Sequence, residues 1–209
     1  MSTTVEMWFD PKCPWAWNGS RWLLEVEQVR DIRVLFHTLS LSALNADREV
    51  EPWYREWLDA GWGPARVCLA AERAHGAESL RELYTALGTH LHRKREPLRR
   101  ELYVAALTEA GLPAELADAA DDTGLDAGLV EANRAGLGPV GEDLGTPAIH
   151  VPGPDGLVAF FGPVVTPVPR GEAAGRLWDG VLLCAGTDGF FELKRSRTRR
   201  PREDEILPA

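Results

Sequence analysis

The stretch Val5–Ser20, V-E-M-W-F-D-P-K-C-P-W-A-W-N-G-S, constrains the fold more than any other part of the chain. A short apolar run over Val5–Phe9 predicts a strand that stops at Asp10-Pro11, and Cys13 then stands directly before a proline. Pro14 has no N–H to leave unpaired and its φ is already helical, so it suits the first position of a helix. Cys13 is thereby placed at a helix N-terminus, beside unbonded N–H groups and the positive end of the dipole. Such a position favours thiolate over thiol, with a pKa expected to fall from about 8.5 into the range of roughly 3.5–7.5. The bland reading is a small buried hydrophobe near a strand end, because free cysteines are often buried. A Cys-Pro pair after one strand does not decide between them.

The next twenty residues strengthen the first reading. Ser20–Val29 carries apolar residues at Trp22, Leu23, Val26 and Val29, a helical spacing that continues the helix begun at Pro14. Ile32–Leu39 then predicts a second strand, rich in apolar and β-branched residues. Strand, helix and strand in this order form a βαβ unit with parallel strands and a right-handed crossover. Cys13 falls at the carboxyl end of its first strand, where open α/β sheets place their chemistry. From Trp53 to about Arg134 no strand is predicted. Proline starts and glycine stops instead mark helices over Pro64–His75, Glu78–His92, Leu98–Ala110, Pro113–Ala120 and Leu125–Ala135. Sheet signals return at Ala148–Val151 and Leu157–Phe161, which flank the turn Pro152–Gly156 as a β-hairpin, and a helix over Glu172–Ala185 closes the pattern. The expected architecture is α/β, with a helical subdomain (49–140) dropped between the two parts of a sheet domain (1–48 and 141–209).

Charge and cysteine usage exclude several function classes. A formal charge of −9 argues against nucleic acid as the main partner. No apolar run approaches the ~20 residues needed to span a bilayer. The first residues show neither the basic region nor the apolar core of a secretory signal. Cys13, Cys68 and Cys184 cannot all pair and are not spaced as a disulfide framework or a zinc site, so a reducing cytoplasm is the expected compartment. Cys68 and Cys184 read as core. His90 and His92 are two apart on a predicted helix and do not share a face for a metal. His37 and His150 read as strand residues, with His150 near enough to Pro147 to approach the site, although a core role fits it better. The basic run from Lys194 to Pro201 reads as a solvated C-terminal tail.

The second informative spot is Gly145-Thr146-Pro147, just ahead of the Ala148–Val151 strand. A tight turn before a strand can hold an X-Pro bond in the cis form. In a thioredoxin-type fold the backbone before that proline lies across from the reactive sulfur and pairs with an incoming thiol peptide as an added strand would. The alternative is an ordinary trans proline opening an edge strand. The reactive pair would then normally read C-x-x-C, whereas here it reads Cys13-Pro14-Trp15-Ala16.

Taken together, these features resemble the DsbA-like thioredoxin superfamily, and more closely the actinobacterial mycothiol-dependent nitroreductase and thiol oxidoreductase family. The matching stretches include W-F-D-P-K-C-P-W-A-W at 8–17, A-A-E-R-A-H-G-A at 70–77, G-E-D-L-G-T-P-A-I-H-V at 141–151 and P-R-G-E-A-A-G-R-L-W-D at 169–179. The resemblance implies a thioredoxin-like domain with an α-helical insertion and mycothiol as the reducing co-substrate. It implies no metal, and no flavin or nicotinamide bound directly. Cys13 matches the attacking cysteine and Pro147 the cis-proline, while Pro14, Trp15, Asn45, Tyr54 and Thr146 match residues around the thiol cleft. Partners would be a low-molecular-weight thiol and a small electrophile or disulfide, with monomer or homodimer left open.

Ala16 departs from the family pattern, which commonly has its resolving cysteine there. Either a second small thiol resolves the adduct on Cys13, or the chain is a resolving-cysteine variant of a dithiol enzyme. Two other readings stay open. One is a thiol-dependent isomerase or transferase like the kappa-class glutathione transferases, which need no resolving cysteine. The other is a non-catalytic thiol or substrate binder.

Overall fold

The computed structural model describes residues 2–141 and 143–201. Strand β1 (Thr3–Phe9) buries Val5, Met7 and Phe9 completely, the period of two expected for a strand with a core face. It ends at Asp10, and helix α1 (Pro14–Glu27) starts with proline at its first position, as the Cys-Pro pair predicts. Strand β2 (Ile32–Thr38) returns beside β1 in parallel, from Thr3 opposite Ile32 to Phe9 opposite Thr38.

The sheet is completed after the helical stretch. Strand β3 (Ala148–Gly153) lies antiparallel to β1, and β4 (Gly156–Phe161) folds back on it to give the order β2-β1-β3-β4. The hairpin closes between Gly153 and Gly156, so its turn is only Pro154-Asp155 and both strands run closer to it than their apolar residues suggest.

Between β2 and β3 come α2 (Leu41–Leu44), α3 (Pro52–Asp59), α4 (Trp62–His75), α5 (Leu80–Gly88), α6 (Arg100–Glu109) and α7 (Asp126–Leu137). Helices α2 and α3 lie outside the predicted set. The first is one turn started by Ser40, whose Oγ accepts from the Ala43 amide. The second has a proline start but too short a repeat to show a period. Glu78–His92, expected as one helix, is a 3-10 turn (Ala77–Ser79), then α5, then a π turn (Thr89–Arg93). Pro113–Ala120 is likewise realised as a 3-10 segment, Ala114–Asp121.

The inserted helices are not walled off from the sheet. One buried apolar cluster runs from Val5, Phe9 and Phe36 through Trp17 to Leu80, Tyr84 and Leu107. Phe9 stacks on Tyr84 with ring centroids 3.7 Å apart. On the other side, α8 (Gly171–Ala185) packs against α1. Glu25 accepts from the Gly171 amide, and Trp22 donates to the Ala174 carbonyl. Arg30, just past the end of α1, pairs with both Glu172 and Asp179 of α8. Among the described residues no helix is long and apolar enough to cross a membrane.

Candidate active site

The site forms where β1, α1, α2 and β3 meet. Cys13 is the N-cap of α1, and its Sγ accepts from the Ala16 amide at 3.4 Å. On the other side Sγ lies 3.7 Å from the carbonyl oxygen of Thr146 and donates to it. The Thr146-Pro147 bond is cis. Thr146 is itself locked to β1: its Oγ1 accepts from the Asp10 amide at 3.3 Å and donates to the Trp8 carbonyl at 3.2 Å. Pro147 rests on α1 at Gly19, where an added Cβ would stand 3.2 Å from the proline Cγ. That close approach explains a glycine inside the helix.

The environment corrects the expected acidity of Cys13. The helix start does stabilise the thiolate, through the Ala16 and Trp15 amides and the charge of Arg197. Burial outweighs these effects. With only 5% of the residue exposed and the Asp10 carboxylate nearby, the thiol is pushed up to about 12. The resting form at neutral pH is the thiol.

Asp10 forms the floor. Its two oxygens accept from the Lys12 and Leu41 amides, each at 2.7 Å, and so join the end of β1 to the starts of α1 and α2. Burial raises its pKa to about 6 against these hydrogen bonds and the charge of Lys12.

The mouth is aromatic. Trp15 is half-buried, and Tyr54 stacks on Trp57 at 5.7 Å. The Lys12 ammonium stands 4.5 Å from the Trp57 ring centroid and donates to the Trp57 carbonyl. Burial first, and then the charges of Cys13 and Asp10, raise the Tyr54 phenol.

Of the residues expected at the site, Cys13, Pro14, Trp15, Thr146 and Pro147 are brought together, with Tyr54 flanking them. Asn45 ends α2 behind the floor, where its side-chain amide donates to the Leu41 carbonyl at 2.8 Å. His150 hydrogen-bonds the Gly136 carbonyl on the α7 side of the sheet, the core role expected of it. His90 and His92 do point to different partners. His90 sits between Glu96 and Glu109, whereas His92 bonds the Pro11 carbonyl and stacks on Trp17. Cys68 is buried on α4 and Cys184 half-buried on α8, both as free thiols. No group of side chains able to hold a metal occurs among the described residues.

Sequence reasoning missed Asp10, Gly19, His92 and Trp57. Asp10 had one signal, an acidic residue set between a buried strand end and a Cys-Pro pair. The others act through contacts between distant segments.

A cysteine N-cap facing the carbonyl before a cis-proline, on a β2-β1-β3-β4 sheet, defines a DsbA-like thioredoxin-fold thiol oxidoreductase. The chain belongs to the Rv2466c-like family: the sequence model described as "Mycothiol-dependent nitroreductase Rv2466c" matches residues 12–195. It is 30% identical to the "Uncharacterized protein Rv2286c" of Mycobacterium tuberculosis, over 98% of this chain and 86% of that protein. In fold it is similar to a putative protein disulfide isomerase from Nitrosomonas europaea, with a TM-score of 0.57, 12% identity, and 88% of this chain and 98% of that one covered. It is also similar to the cytosolic disulfide reductase DsbM from Pseudomonas aeruginosa with GSH, with a TM-score of 0.55, 16% identity, and 86% and 99% covered.

Proposed function

We propose that this protein is a mycothiol-dependent thiol-disulfide oxidoreductase that works with one active-site cysteine. The observation that carries this reading is the placement of Cys13 Sγ between the Ala16 amide and the Thr146 carbonyl, with alanine in the resolving position. The Thr146 carbonyl is the kind of acceptor that holds an incoming thiol compound beside the sulfur as an added strand would. Asn45, Tyr54, Trp15 and Pro14 would bound the cleft, with residues 49–140 acting as a helical subdomain on one side of it. Free cysteines and the thiol chemistry fit a reducing cytoplasm.

In the first step the Cys13 thiolate attacks the mycothiol sulfur of a mixed disulfide. A new Cys13–mycothiol S–S bond forms, and the substrate sulfur leaves as a thiolate. A second mycothiol thiolate then attacks the mycothiol sulfur of that adduct, which releases mycothiol disulfide and returns Cys13. The substrate has gained two electrons and one mycothiol pair has supplied them. A small nitro or quinone-like electrophile would take two electrons and two protons from two free mycothiol molecules, which leave joined as mycothiol disulfide.

The test is intact mass of the reduced protein exposed to mycothiol disulfide between pH 5 and 9. We expect one adduct on Cys13, absent in Cys13→Ser and removed by free mycothiol. Its formation should quicken with pH across the whole range, because the buried thiol stays protonated there. No adduct at Cys13 would overturn the redox reading in favour of a thiol-activating transferase or a binder.

A further inference from the structure

The last segment that the structure describes returns to the site. The chain leaves α8 at Ala185. From there it continues without regular secondary structure to Pro201. Its residues are solvent-exposed, as expected of a basic tail, but the segment does not simply leave the surface. The Arg197 guanidinium stands 5.1 Å from the centroid of the Trp15 ring, at the mouth of the site. Lys194, Arg195 and Ser196 line a shallow depression together with it. Lys194 pairs with Glu192, whereas no ion pair among the described residues engages Arg197. Arg197 also lies beyond the part of the chain that the family match covers, residues 12–195.

We propose that Arg197 is a specificity-determining residue of this site, held over Trp15 to draw in reaction partners that carry a carboxylate or similar anion next to their electrophilic atom. The proposal rests on Cys13 being the reacting group. Its physical basis is a contrast of charge. The protein as a whole carries −9 and repels small anions. The basic strap reverses that sign locally, at the one place where a partner must approach Cys13. The Trp15 face orients the guanidinium by cation–π attraction, leaving its N–H fork free for a carboxylate. The floor beneath the sulfur is the acidic Asp10, so the field across Sγ runs from a negative floor to a positive mouth. An anionic partner is therefore favoured on the solvent side of Cys13.

A pair of alkylating reagents of nearly equal shape isolates this effect. The Cys13 thiolate displaces iodide from iodoacetate or from iodoacetamide, forming an S–CH2 bond in each case. Both reactions scale with the same thiolate fraction, so the ratio of their rate constants reads the reagent's charge alone. We expect Arg197→Gln to lower the iodoacetate-to-iodoacetamide ratio roughly 5-fold at low salt, Arg197→Glu to lower it further, and Arg197→Lys to keep most of it. The native ratio should fall as ionic strength rises from about 0.01 to 1 M. An equal ratio in all four proteins would falsify the role of Arg197 while leaving Cys13 as the reactive thiol. If Cys13 reacts with neither reagent while the denatured chain does, the reactive-cysteine reading fails as well.

Discussion

The floor and the mouth of this site are built by different physics. At the floor, Asp10, Thr146 and the sulfur of Cys13 are fastened by hydrogen bonds to backbone groups of β1, α1 and α2, of the turn between β1 and α1, and of Thr146 itself just before β3. At the mouth, Trp15, Tyr54, Trp57, Lys12 and Arg197 meet mainly through ring stacking and cation–π contacts. Hydrogen bonds between buried groups are directional and costly to leave unmade. Contacts between rings and long cationic side chains tolerate shifts and are individually weak. The floor thus sets which atom reacts and in what state of protonation. The mouth sets which partners reach it.

The largest expected effect comes from changing the floor's chemistry at one atom. Residue 16 lies one helical turn from Cys13, so Ala16→Cys places a second thiol beside the adduct. The mycothiol adduct should then be released without added thiol, at least ~100-fold faster than in the parent protein, and be replaced by an internal disulfide. Intact mass shows this as loss of the adduct and of two hydrogens. An adduct that persists would mean that the fold holds the two sulfurs apart.

A smaller but measurable effect tests the floor's electrostatics. Asp10 titrates near 6 in the folded protein against an ordinary value of 3.8, so between those values the folded state binds more protons than the unfolded one. Stability from this group is therefore greatest below about pH 4 and is lost as pH rises through 6, a change of about 3 kcal/mol. Glu27 and the exposed Glu172 and Asp179 titrate the other way: Arg81 holds Glu27 low against its partial burial, and Arg30 holds the other two low. Urea unfolding of the native protein and Asp10→Asn at pH 4, 5, 6 and 7 separates the contributions. The stability difference between the two should move in the variant's favour as pH rises. Parallel pH curves would show that the carboxylate is not buried in solution.

The mouth should give the smallest response. Trp15→Ala removes the platform under Arg197, and we expect a 2- to 5-fold slower reaction of Cys13 with an anionic disulfide, with a smaller change for a neutral one. Equal slowing of both would mean that Trp15 acts only by shape.

Much of the floor is legible in the sequence. Strand β1, the proline start of α1, the parallel return of β2 and the hairpin after Pro147 follow from patterns shorter than about ten residues, where covalent geometry and apolar period govern. Cys13 and Thr146-Pro147 stand out for the same reason. The acidity of Cys13 is not legible. The helix start is local and argues for a thiolate, whereas burial is a property of everything packed around the sulfur, and it prevails. The π turn after Gly88 is equally hidden, because it lies where the Trp17 ring occupies the space beside that glycine.

By itself, then, the sequence determined the order of the four strands and of the longer helices, the cysteine at the head of α1, the missing resolving thiol and a basic segment in an acidic chain. Each depends on neighbours along the backbone. Only the tertiary structure decided that Asp10 faces the site, that Gly19 receives Pro147, that Cys13 is held as a thiol and that Arg197 comes to rest over Trp15. Those outcomes join segments more than a hundred residues apart or depend on exclusion of water from all sides, and no local pattern encodes either.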